Sequence, residues 1–100
     1  MRKITKESIN AFYNKTPFSK GNTIVTVLPN VTVLLLHGNE IAYLYNDPKN
    51  TLSICNGGWN SNTTKERLNG LAGVNIYQEN FIWHLNGKRW NGELINIEVN

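Results

Sequence analysis

The chain has 100 residues, of which 17% are charged, and a formal net charge of +3. That length gives one domain spanning residues 1–100, built on a single core. A lone cysteine, Cys55, excludes an internal disulfide and a cysteine-based metal cluster, and the longest apolar run, "VTVLLL", is too short to cross a membrane.

The mildly positive charge suits nucleic acid, a phosphorylated small ligand or an acidic protein partner. Asparagine is the commonest residue, which fits a fold of short strands and tight turns, although AT-rich coding produces the same bias. The start "MRKITKESIN" has no apolar stretch of the kind a signal peptide carries. A soluble, intracellular protein with no membrane partner is therefore expected, its "NKT", "NVT" and "NTT" sequons unmodified.

In chain order, "ITKESINAFYNK" (residues 4–15) reads as a helix, with Thr5 as N-cap and Ile4 with Ile9 as a hydrophobic staple. Ile9, Phe12 and Tyr13 fall on one face, which must pack on the rest of the fold. "TPFSKGN" reads as a loop because Pro17 and Gly21 interrupt regular structure. "NTIVTVL" and "VTVLLLH" are β-branched strands joined by "PN", and the Leu34-Leu35-Leu36 run suggests a central strand. "HGNE" is a tight turn in which Gly38 or Asn39 supplies the positive φ.

"IAYLY" and "TLSIC" follow as the third and fourth strands, with Leu52 and Ile54 facing opposite to Thr51, Ser53 and Cys55. Next comes "GGWNSNTTKERLNG", a short helix behind a glycine pair. Thr63 and Glu66 have the spacing of a capping box, and Gly70 reads as the C′ residue that closes the helix. Three more strands are expected in "VNIYQ", "FIWHL" and "ELINIEV" (residues 93–99), the last two separated by two Asn-Gly signals of which Asn86-Gly87 is the stronger. Trp83 should face away from Ile82, and Trp90 sits on a very short strand or bulge with its ring exposed. The fold class is α+β: an antiparallel sheet of about five to seven short strands, an N-terminal helix, and one short helix between strands four and five.

No complete catalytic or metal signature is present. His37 and His84 stand singly at strand ends and read as hydrogen-bonded surface residues, not metal ligands. Cys55 lacks a nucleophile signature, and the carboxylates are scattered singly, so a non-enzymatic protein without cofactor is expected. The segment after Cys55 is not a Walker A loop, because the Gly-x₄-Gly-Lys spacing fails. Two readings stay open. In one, Asn62, Thr63, Thr64 and Lys65 surround a helix N-terminus that attracts an anion, and Trp59 stacks on a base. In the other, Thr63 and Glu66 only cap the helix, and Lys65 and Arg67 are its solvated face. Lys88, Arg89 and Trp90 add basic and aromatic groups of the kind that bind nucleic acid on a sheet.

The series "FSKGNTIVTV", "LLLHGNEIA", "GGWNSNTTKERLNGL", "IYQENFIWHLNG" and "WNGE" resembles small accessory proteins of tailed bacteriophages, over roughly residues 18–93. The resemblance implies a phage origin and a host-cytoplasmic setting, and it carries over no catalytic residues. The function expected is binding of nucleic acid or a phosphorylated nucleotide, including sequestration of a host defence signal, through Trp59, Asn62, Thr63, Thr64, Lys65, Arg67, Lys88, Arg89 and Trp90. The alternatives are an inhibitor of a host protein and a minor virion or assembly component. Exposed strand edges favour pairing of two copies, so a homodimer is expected.

Overall fold

The computed structural model describes residues 1–98. Helix α1 (Lys3–Tyr13) is followed by β1 (Phe18–Lys20), β2 (Thr23–Val27), β3 (Val31–Leu36), β4 (Asn39–Tyr45) and β5 (Leu52–Ile54). Helix α2 (Asn62–Asn69) then leads to β6 (Ile76–Glu79), β7 (Ile82–Leu85), β8 (Lys88–Arg89) and β9 (Ile95–Ile97). The strands form a six-stranded sheet, β1-β2-β3-β4-β5-β9, and a three-stranded sheet, β6-β7-β8. Every pairing is antiparallel. The α+β architecture holds, with its strands divided between two sheets.

Two strands lie where the sequence signals a loop or turn. Phe18–Lys20 pairs with β2, placing Phe18 opposite Val25 and moving α2 to a position between the fifth and sixth strands. Tertiary burial of Phe18 against the core outweighs the loop signal of its neighbours. Lys88–Arg89 pairs with β7 across the Asn86-Gly87 turn. The last strand is shorter than its apolar pattern, and of the expected "ELINIEV" segment Val99 lies outside the described residues.

Backbone conformation at the hairpins follows the turn chemistry. His37 and Gly38 both have positive φ, as do Asn86 and Gly87, which is the type I′ pattern. Asn39, one candidate for that role, already belongs to β4. Asn80 and Phe81 repeat the pattern between β6 and β7, so Phe81 is a turn residue and not the first residue of its strand. In β3, Leu34 and Leu36 are buried and Leu35 is half-buried, as an interior strand requires.

The two sheets and both helices share one core. Leu34, Ala42 and Ile54 from the large sheet meet Leu68 of α2 and Trp83 and Leu85 of β7. Helix α1 lies against β1, β2 and β3, and α2 lies against β4 and β6. Ile9 and Phe12 face inward, while Tyr13 is partly exposed and accepts a hydrogen bond from the Ala72 N–H at 2.9 Å.

Helix capping departs from the sequence pattern. Arg2 is the N-cap of α1, and Thr5 is buried within the first turns. Ile4 and Ile9 are both inside the helix and form no staple across its start. In α2 the N-cap is Ser61, whose hydroxyl accepts from the Thr64 N–H at 3.1 Å. Glu66 is turned toward α1 instead, where the Thr5 hydroxyl donates to it at 2.7 Å, so the Thr63–Glu66 capping box does not form. Gly70 has φ −74°, which any residue adopts. Its reason for being glycine is proximity, since a Cβ there would lie 2.9 Å from Ile9 Cγ1.

Candidate functional site

A cleft of about 440 Å³ opens where the β3–β4 turn meets the N-terminus of α2. Its apolar floor is Leu36 and Ile41; His37, Asn39, Asn56, Ser61, Thr63 and Thr64 supply polar groups, and Trp59 stands at its side. Trp59 is 67% exposed. No carboxylate is among the lining residues. The volume falls within the roughly 300–1,000 Å³ of small-molecule sites.

Local chemistry holds this arrangement in place. The amide N–H of Asn56 donates to the Gly92 carbonyl at 2.9 Å, tying the loop to the chain before β9. The Asn56 side chain accepts from the Gly58 N–H and donates to Asn60 Oδ1, both at 2.8 Å. The Trp59 N–H donates to the Asn56 carbonyl at 3.2 Å. Gly57 has φ +67° and lies so close to β4 that a Cβ would sit 3.0 Å from Asn39 Cβ and from Ile41 Cγ2. The glycine pair lets the loop pass tightly over the sheet and present Trp59 outward.

The helix end that faces the cleft is open. Ser61 satisfies the Thr64 N–H, and the N–H groups of Asn62 and Thr63 have no intrahelical acceptor by the geometry of a helix start. Glu66 is drawn away to α1, and among the described residues no carboxylate lines the cleft at that end. Asn62 is exposed, Thr63 is half-buried at the cleft and Thr64 is buried beneath it, its hydroxyl 2.8 Å from that of Ser61.

Lys65 and Arg67 do not join Trp59. Lys65 places its ammonium 5.9 Å from the centroid of the Trp83 ring, on the side of the three-stranded sheet. Arg67 is 0% exposed. Its Nε donates to Thr23 Oγ1 at 3.2 Å, and its Nη1 donates to Thr5 Oγ1 and Glu66 Oε1. The guanidinium therefore pins α2 to α1 and β2, and it is a structural residue, not a ligand contact or solvated face. Its Nη2 has no hydrogen-bond partner among the described residues. Burial holds the Arg67 pKa below its ordinary value, opposed by the Glu66 charge. For Glu66, burial acts to raise the pKa, and the Thr5 hydroxyl with the Arg67 and Arg2 charges outweighs it, so the net shift is downward.

A family model described as Kyanoviridae Gp96 protein matches residues 1–98. The chain belongs to this phage family. The match takes in α1, which the resemblance seen in sequence had placed outside its range. No curated protein and no solved structure matches the chain.

The remaining candidates of this Gp96-family chain lie apart from the cleft. Lys88 and Arg89 are exposed on β8. Arg89 borders a shallow groove of about 290 Å³ with Ile82, Trp90, Asn91 and Glu93. Trp90 is buried, contrary to the exposed position its turn-flanked sequence suggests. Its indole N–H donates to the Glu93 carbonyl at 2.9 Å, and its ring stacks 6.2 Å from that of Trp83. Packing against Trp83 is long-range information that the Asn-Gly pairs around it do not carry.

His84 stacks on its cross-strand partner Tyr77 with ring centroids 5.1 Å apart. His37, by contrast, lines the cleft from the β3–β4 turn; the sequence placed it at that strand end and turn but gave no sign of the cleft. Asn39 and Asn56 were likewise missed, because a single asparagine among so many gives no signal. Cys55 is half-buried just past β5, and its thiol donates to the Glu40 carbonyl at 3.2 Å. Among the described residues no group of three His, Cys, Asp or Glu is placed to hold a metal ion, and no helix is long and apolar enough to cross a membrane.

Proposed function

We propose that this phage protein acts by binding, without catalysis, and that its ligand is a phosphorylated nucleotide held in the Trp59 cleft. The base stacks on the exposed indole of Trp59. A phosphate faces the N–H groups of Asn62 and Thr63 at the start of α2, beside the Thr63 hydroxyl and His37. The observation that carries the reading is the cleft itself, which joins an exposed aromatic face to an open helix N-terminus through a lining free of carboxylates. Sequestration of a nucleotide signal of the host is the biological role this chemistry would serve.

A longer nucleic acid is the weaker reading. It needs a continuous basic track, whereas Lys65 lies over Trp83, Arg67 is buried, and Lys88 and Arg89 sit on β8.

The test is titration of the purified protein with linear and cyclic nucleotides, followed by calorimetry and by tryptophan fluorescence. A nucleotide should quench Trp59, and Trp59→Ala should weaken binding by about tenfold to a hundredfold, the range of one base–aromatic stack. A flat response to every nucleotide would overturn the proposal. Tight binding of oligonucleotides alone, with a steep salt dependence, would replace it by the nucleic-acid reading.

A further inference from the structure

The hairpin between β6 and β7 ends on Asn80 and Phe81, with φ of 52° and 65°. The two other turns of this kind place Gly38 and Gly87 at the second position, where positive φ carries no steric penalty. Phe81 accepts that penalty and is also 94% exposed. A bulky side chain in the left-handed region is an outlier, and here it contributes nothing to the chain's own core. Both features are explained if the ring packs elsewhere.

A receptacle of matching chemistry exists on the same molecule. A groove of about 400 Å³ lies between the end of α1 and the β4–β5 turn, lined by Tyr13, Leu44, Leu52 and Ala72 with Lys15, Lys49 and Asn50. Tyr13, Leu44, Leu52 and Ala72 give it apolar surface, and its charges are two lysines, of which Lys15 donates to Asn46 Oδ1. Beside Phe81 stands the exposed carboxylate of Glu79. Among the described residues Glu79, Lys15 and Lys49 form no ion pair. The neighbouring Asp47 carboxylate is occupied within its own turn, accepting from the Lys49 and Thr51 N–H groups and the Thr51 hydroxyl. Ala72 precedes β6 and Phe81 follows it, so the strand carries the tip about 13 Å beyond its own start. The knob is out in solvent and does not fill the groove of its own chain.

We propose that Phe81 of one copy seats in the Lys15–Lys49 groove of a second copy, with Glu79 meeting those lysines. Two copies set antiparallel exchange the contact reciprocally, which closes a dimer instead of extending a chain. The carboxylate next to the ring argues against the knob itself meeting an anionic surface, whether a phosphate backbone or an anionic membrane.

Sedimentation velocity over a range of protein concentrations, at low and high salt, tests this. The wild-type chain should dimerise, more tightly at low salt. Phe81→Gly should weaken dimerisation by about 30-fold or more, as loss of a central aromatic does. The same variant, diluted to monomer, should melt a few degrees higher because its turn is relieved. Glu79→Lys and Lys49→Glu should each weaken the dimer, and the double variant should recover part of the loss. A wild-type monomer at all concentrations would overturn the proposal, as would a Phe81→Gly dimer of undiminished affinity or a lower melting temperature for that variant. Phe81-dependent sedimentation with vesicles of anionic phospholipid, without self-association, would assign the knob to a membrane and overturn it equally.

Discussion

Replacing Arg67 with alanine tests whether this residue is a structural pin. The side chain is fully buried and donates to Thr5, Thr23 and Glu66. Removing one member of a buried charged cluster costs about 3–5 kcal/mol, largely from the groups left behind. Here those groups are partly protected. Thr5 still donates to Glu66 and Thr23 still donates to Asn22 at 2.8 Å, so neither hydroxyl proton is orphaned. Glu66 keeps Thr5 and has a side chain 28% exposed, which lets water replace the guanidinium. The low end, about 3 kcal/mol, is expected, and it corresponds to a melting temperature lower by about 15 °C for a domain of this size.

Arg67→Met is the informative companion. It keeps the apolar stem and removes a buried charge whose Nη2 has no partner among the described residues. It leaves the same Glu66 and threonine groups behind as alanine does, so its cost should fall below that of Arg67→Ala only by the roughly 1–2 kcal/mol that the retained apolar stem buries. Urea and thermal unfolding followed by circular dichroism measure both variants. An Arg67→Ala protein within about 0.5 kcal/mol of wild type, the range of ordinary surface substitutions, would refute the pin. Lost ligand affinity at unchanged stability would return Arg67 to a binding role.

Acid should reveal the Glu66 contact. Its carboxyl is held below the ordinary 4.5, so the stability it contributes is present above that value and is lost as pH falls through the lowered one. Asp47 is lowered as well, by the Thr51 hydroxyl and then by the Thr51 N–H, and adds to the same acid limb. The urea midpoint should therefore decline below about pH 4.5, and Glu66→Gln should flatten part of that decline; an unchanged slope would exclude the contact. Gly92→Ala should loosen the cleft loop, because its Cβ would fall 2.0 Å from Asn56 Nδ2 at a residue with φ +89°. Left-handed strain and two displaced hydrogen bonds cost about 3 kcal/mol together. Faster amide exchange at residues 57–60 should accompany the loss, and unchanged exchange there would count against the Asn56–Gly92 tie as what holds the loop.

Much of the architecture is written in local signals. Asn86-Gly87 and His37-Gly38 impose their turns through backbone sterics that need no partner. The alternation of Trp83 and Leu85 with Ile82 and His84 marks which face of β7 is buried, and the apolar run of β3 marks an interior strand. Of the candidate site, Trp59 beside its glycines was legible, because exposure of a loop is also a local property; the open start of α2 was not, because it depends on Glu66 being drawn to α1.

Tertiary structure alone decided the fate of the charged and aromatic residues around them. Arg67 looks solvated at its place in "TTKERLN", yet it is buried because Thr5, 62 positions away, and Thr23, 44 away, converge on it. Glu66 matches a capping box and is captured instead by α1. Trp90 is drawn inward by Trp83, and Phe81 is pushed outward by a turn that begins one residue later than the strand pattern implies. Backbone preference is fixed by a residue and its immediate neighbours. Burial of a side chain depends on which distant groups arrive to satisfy it, and that is settled only when the sheets and helices close on one core.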